Sequence, residues 1–122
     1  MQVSEFYNHF IKANFNFITD SRKISSGCVF FALKGDNFNG NSFAIKALEQ
    51  GASYAVVDEN VGTDKRLILV DDVLTYMQEL AHFHRKCFDI PVVGICGSNG
   101  KTTTKNLIYR VLAKKYKTHC TQ

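Results

Sequence analysis

At 122 residues, 45% of them hydrophobic and 12% aromatic, the chain has the length of one ordinary domain and enough apolar content to bury a core. It holds no apolar run of the roughly 20 residues that a bilayer crossing needs, no Arg-rich amphipathic leader and no signal-peptide core behind Met1, so membrane insertion is excluded and a cytoplasmic setting is expected. The net charge of +4 is unevenly placed: Lys101, Lys105, Arg110, Lys114, Lys115 and Lys117 stand together without an acid, while Asp58, Glu59, Asp64, Asp71 and Asp72 cluster in the middle. The basic residues lack interleaved aromatics and no helix-turn-helix or RNA-binding signature accompanies them. A solvated helix face, or a site for a small phosphorylated ligand, is the simpler reading than nucleic acid.

In chain order, Val3, Phe6, Phe10 and Ile11 recur at helical spacing behind Ser4, a candidate N-cap, and Glu5, which predicts a short helix over residues 4–13. NFNFIT alternates as a strand does, and DSRKISSG reads as a loop. The run CVFFALKG, between Gly27 and Gly35, suits a buried strand, and the polar KGDNFNGN after it reads as a loop. A helix is expected from Ser42, with Phe43, Ala44, Ala47 and Leu48 on one face and Gly51 at its C-terminal end. SYAVVD and RLILVD are two further strands, and Asp71 or Asp72 can cap a helix carrying Val73, Met77, Leu80, Ala81 and His84 down to about Cys87. This alternation describes a compact α/β unit. Pro91, the only proline, precedes a new apolar segment, VVGIC at 92–96, read as a strand; residues 88–91 are therefore the candidate boundary between domains 1–88 and 89–122. Beyond it the expected order is strand, glycine loop, helix and the start of another strand.

Cys28, Cys87, Cys96 and Cys120 form no CxxC pair, so reduced, partly buried thiols are expected rather than zinc ligands or a disulfide framework. His82 and His84 lie two apart, on different helix faces, which is poor metal-ligand spacing. His9 and His119 have no partner in the sequence. Phe30, Phe31, Phe38 and Phe43 read as core and loop packing, with one of them beside a base as the sharper alternative.

Gly97, Ser98, Asn99, Gly100, Lys101 and Thr102 join VVGIC to the apolar-periodic helix that starts TTTKNLIYRVL. A polyphosphate is held by converging backbone N–H groups, which requires glycines able to take positive φ and the N-terminus of a helix. Lys101 supplies a full charge for the β and γ phosphates, and the Thr102 hydroxyl can ligate the Mg²⁺ that bridges them. The full G-x-x-x-x-G-K-[ST] pattern asks for glycine where Ile95 stands, so the loop is a shortened variant. The plain alternative is a strand-to-helix turn with an incidental lysine. Arg22 likewise reads either as an anion ligand or as a surface arginine paired with Asp20.

GICGSNGKTTTK resembles the ATP loop of the Mur ligases, enzymes that add amino acids to a UDP-linked muramic acid. DSRKISSGCVFFALKGDNFNGNSFAIKALEQGASYAVVDE is similar to their N-terminal, UDP-binding domain, which carries DSR, then G-x-x-F-x-A-x-x-G, then D-G-H-x-F and a later G-A. Where that pattern has D-G-H, this chain has Asn39, Gly40 and Asn41, and Asn41 cannot become positive as histidine can. Ser98 and Lys105 favour the branch that adds D-alanyl-D-alanine to UDP-N-acetylmuramoyl-tripeptide over the branch that adds the third amino acid.

The resemblance implies an α/β fold in which a UDP-binding domain is followed by the first strand, P-loop and helix of an ATPase domain. It implies ATP and Mg²⁺ as cofactors, amide formation through an acyl phosphate, a monomer, and no nucleic-acid partner. Gly97, Ser98, Asn99, Gly100, Lys101, Thr102 and Thr103 would hold ATP, with Lys101 and Thr102 catalytic and Thr102 on the metal. Asp20, Ser21, Arg22, Lys34, Gly35, Asn39, Gly40 and Asn41 would hold UDP. In these ligases the ATP domain continues with acidic Mg²⁺ ligands and a modified lysine, and a third domain brings the incoming residue, so the chain reads as a piece not expected to ligate by itself. The rival readings are a small P-loop regulatory module and a nucleic-acid-binding protein using the basic C-terminal helix.

Overall fold

The computed structural model describes residues 2–121, in two units that divide between Phe88 and Asp89. The first unit is built on a four-stranded sheet, β1 (Phe17–Ile18), β2 (Val29–Phe31), β5 (Tyr54–Val57) and β6 (Leu67–Leu69), in the order β1-β2-β5-β6 with every pair parallel. Parallel strands buried on both faces read as unbroken apolar runs, and β2 is buried along its whole length. Its residues alternate between two cores. Val29 and Phe31 join Val56 and Ile68 beneath α1 (Val3–Lys12) and α3 (Val73–Lys86), through Phe6, Phe10, Val73, Tyr76 and Leu80. Cys28, Phe30 and Ala32 join Ala55 and Val57 against Ala44, Ala47 and Leu48 of α2 (Ala44–Glu49), so that helices cover both faces of the sheet.

Several boundaries differ from the sequence reading for local reasons. The cap of α1 is Gln2, and Glu5 accepts from its N–H at 3.3 Å, so Ser4 lies inside the helix. Of the two candidate caps for α3 it is Asp72 that accepts from the Thr75 N–H, at 2.7 Å. α2 is preceded by a 3-10 turn over Gly40–Phe43, which takes Ser42 and Phe43 out of the α-helix, and Gly51 follows it at φ +107°. Most of the expected loop is ordered as an antiparallel hairpin, β3 (Lys34–Gly35) with β4 (Phe38–Asn39), because Lys34 pairs with Asn39 and Gly35 with Phe38.

In the second unit α4 runs from Lys101 to Leu112. The strand expected at 92–96 is not formed, nor is one after α4, and among the described residues this unit contains no strand. The composition suits a buried strand, but a strand exists only through ladder hydrogen bonds to a neighbour, and the unit supplies none. In burial the thiols differ from expectation: Cys28 is buried, while Cys87, Cys96 and Cys120 are exposed. Among the described residues no helix is long and apolar enough to cross a membrane.

Candidate functional site

Because all four strands of the main sheet are parallel, the segments that leave their carboxyl ends emerge along one edge, the side on which open α/β sheets hold ligands. Thr19 follows β1, the β3–β4 hairpin follows β2, and Asp58 follows β5. A cleft of about 550 Å³ opens there, lined by Thr19, Asp20, Ser21, Arg22, Phe38 and Phe43.

One wall is polar. Asp20 caps a 3-10 turn over Ser21–Lys23, accepting from the Arg22 N–H at 3.0 Å, and the same carboxylate accepts from Arg22 Nε and Nη2, each at 2.9 Å. Hydrogen bonds from the Arg22 side chain, then from its backbone, hold the Asp20 carboxyl down at about 2, and the pairing raises Arg22 in return. With the Arg22 side chain 86% exposed, this ion pair adds little to stability. It does fix the direction of the guanidinium, whose remaining N–H donors stay available to an anion at the rim. The other wall is aromatic: Phe38 and Phe43 stack with ring centroids 5.5 Å apart and planes 12° from parallel. A flat apolar face beside a forked cation matches the two halves of a nucleotide, its base and its phosphates.

The sequence-predicted residues of the hairpin divide differently. Lys34, Gly35, Asn39, Gly40 and Asn41 do not line this cleft. Lys34 Nζ pairs with Asp58 Oδ1 at 2.8 Å and Glu59 Oε1 at 2.9 Å, and Asn39 Nδ2 donates to Glu59 at 3.1 Å. Asn41 is 1% exposed with its amide fully engaged: Nδ2 donates to Asp58 Oδ1 at 2.8 Å and Asn39 Oδ1 at 3.0 Å, while Oδ1 accepts from the Asp58 N–H at 3.0 Å. Gly40 sits where a Cβ would come within 2.5 Å of the Leu33 carbonyl oxygen, so the chain passes there only without a side chain. In the sequence Asp58 and Glu59 stand out only as members of an acidic cluster. The signal for Asp58 was its place, an acid directly after the apolar strand YAVV.

In the second unit Gly97 at φ +146° and Gly100 at φ +73° shape the turn before α4, with Gly100 as the left-handed N-cap. Lys101 folds back so that Nζ donates to the Gly97 and Ser98 carbonyls. Thr104 N–H to Gly100 O, at 2.9 Å, is the first bond of the helix, so the N–H groups of Lys101, Thr102 and Thr103 precede it. Turn, lysine and helix start fit a polyphosphate: the glycines hold the required φ, and the lysine is already drawn over the loop carbonyls. Ser98 and Asn99 lie within the turn. Elsewhere, His9 and His84 do have partners, the Tyr54 and Tyr7 hydroxyls, each at 2.7 Å from Nδ1. Among the described residues no group of three His, Cys, Asp or Glu could hold a metal ion.

Comparison with known proteins places this architecture. The family model described as Mur ligase family, catalytic domain, matches residues 15–85. The chain belongs to the Mur ligase family. It is 42% identical over 106 residues to the UDP-N-acetylmuramoyl-tripeptide–D-alanyl-D-alanine ligase of Bacillus subtilis strain 168, an alignment covering 84% of this chain and 23% of that one. To the UDP-N-acetylmuramoyl-L-alanyl-D-glutamate–2,6-diaminopimelate ligase of Aquifex aeolicus it is 38% identical over 95 residues, 76% of this chain and 20% of that one. Among solved structures, the MurF ligase of Thermotoga maritima in complex with ADP matches with a TM-score of 0.71 at 35% identity, over 82% of this chain and 23% of that one. MurF from Acinetobacter baumannii gives 0.70 at 30% identity, over 82% and 22%. The chain thus spans about a quarter of the length of the relatives it matches.

Proposed function

We propose that residues 1–88 form the domain that holds a UDP-linked substrate, and that residues 89–122 begin the ATP-binding domain, in a ligase that joins D-alanyl-D-alanine to UDP-N-acetylmuramoyl-tripeptide. The observation that carries the reading is the cleft at the carboxyl edge of the parallel sheet, lined by Arg22 and by the stacked rings of Phe38 and Phe43. In that cleft Arg22 takes the diphosphate, Asp20 orients Arg22, and Ser21 offers a hydroxyl to the nucleotide, while Lys34, Gly35, Asn39, Gly40 and Asn41 shape the hairpin beside it.

The P-loop reading of Gly97 to Thr103 rests on the positive φ of two glycines and on the start of α4 at Lys101. A relative of similar fold was solved with ADP, which supports a nucleoside triphosphate as co-substrate. Lys101, the loop N–H groups and Thr103 would hold its phosphates, and Thr102 would ligate Mg²⁺. When bound, ATP supplies the phosphoryl group that activates a carboxylate for amide formation. This chain's residues neutralise and align the phosphates for that transfer.

The amino-acid-adding branch is the second reading, favoured by the 38% identity to the Aquifex aeolicus diaminopimelate ligase. Titration calorimetry decides both points. UDP is expected to bind the 122-residue chain, and Arg22→Ala to weaken it by about tenfold or more, as for a lost charged hydrogen bond. Absence of UDP binding overturns the substrate reading. Tighter binding of UDP-N-acetylmuramoyl-L-alanyl-D-glutamate than of UDP-N-acetylmuramoyl-tripeptide transfers the assignment to the second branch.

A further inference from the structure

The carboxylate of Asp58 is only 7% exposed and stands outside the cleft, yet it joins three elements. Its Oδ1 accepts from Lys34 Nζ, at the first residue of β3, and from Asn41 Nδ2, in the 3-10 turn, each at 2.8 Å. Its Oδ2 accepts from the Val73 N–H at the start of α3 at 3.4 Å, and its own N–H donates to Asn41 Oδ1. Both rings of the aromatic wall hang from the segment clamped in this way: Phe38 lies between Lys34 and Asn41, and Phe43 lies two residues beyond Asn41. A hairpin whose strands are two residues each cannot hold its own shape. A largely buried carboxylate that accepts charged and neutral donors from three directions can, because removing it leaves the Asn41 amide and the Val73 N–H short of an acceptor and Lys34 with Glu59 alone.

We infer that Asp58 is the positioning residue for the cleft: through Lys34 and Asn41 it sets where the Phe38 and Phe43 rings stand in the cleft that Arg22 also lines, without touching the ligand. The consequence for affinity rests on the substrate reading above; the consequence for the rings does not.

The test compares the chain with Asp58→Ala and with Asp58→Asn, which keeps the shape and loses the charge. Ring-proton NMR signals of Phe38 and Phe43 are read in the absence of ligand, and UDP affinity by calorimetry. Both variants are expected to shift the two ring signals while those of Phe6 and Phe30 stay in place, and Asp58→Ala to weaken UDP about tenfold, the effect of unpairing a buried polar contact. Phe10→Leu, a core change on the opposite face of the sheet, lowers the unfolding temperature without moving either reading. Should Asp58→Ala fail to fold, the ring signals of Asp58→Asn decide. Unmoved Phe38 and Phe43 signals in a folded Asp58 variant, or unchanged UDP affinity, overturn the inference. If the unaltered chain binds no UDP, the substrate reading falls and the ring signals still decide the role of Asp58.

Discussion

Asp20 and Arg22 show how one short sequence motif sets a charge. The carboxylate both caps its own turn and holds the guanidinium two residues on, so the pair is built by a local bend rather than by burial. With the folded carboxyl near 2 against an ordinary aspartate near 3.9, stabilisation from the pair is complete above the unfolded value and fades as pH falls from about 4 to about 2. Carboxyl-carbon NMR titration should give Asp20 a midpoint of about 2, returning toward the usual aspartate range in Arg22→Ala. A midpoint near 4 in the unaltered chain would show that the two groups do not pair in solution. Asp58 behaves differently: burial pushes its carboxyl up, but Lys34, Asn41 and the Val73 N–H together hold it below the ordinary value. The same residue type is thus kept ionised by an exposed arginine in one place and by a nearly closed network in the other.

Among the elements, α3 begins where the sequence offered two acids as caps, and the structure takes the second. Asp72 in extended conformation accepts from the Thr75 N–H, and Val73, Tyr76 and Leu80 then carry the buried face. Asp72→Ala should lower the urea midpoint of unfolding, the ordinary consequence of a lost cap; an unchanged midpoint would mean that packing alone sets the helix end. The β3–β4 hairpin is the contrary case. Its residues are polar and its strands are two residues long, so periodicity carries no signal for it, and its form comes from contacts to Asp58 and Glu59 about twenty positions away. The VVGIC segment fails in the opposite sense: its composition is that of a strand, but it has no neighbour to pair with in its own unit.

At the scale of the molecule, the two units carry different features, a cleft lined by Arg22, Phe38 and Phe43 in the first and a glycine turn ahead of α4 in the second. Lys101→Ala should remove Mg-ATP binding measured by calorimetry and leave the UDP titration unchanged. Loss of both would show that the lysine supports the fold rather than a phosphate. Family membership was legible in the sequence because it resides in short strings within residues 15–85, DSR and GCVFFALKG, that encode a turn and a buried strand through neighbouring residues. The sequence by itself determined those local geometries: glycines where φ must be positive, an acid that caps its own turn, and apolar runs that must be buried. Only the tertiary structure decided that Asn41 is a buried support rather than a surface group, that Asp58 joins the hairpin to β5 and α3, and that Phe38 and Phe43 line one cleft with Arg22. Those relations join residues brought together by strand pairing and packing, and no local propensity records a partner that only the folded sheet brings into reach.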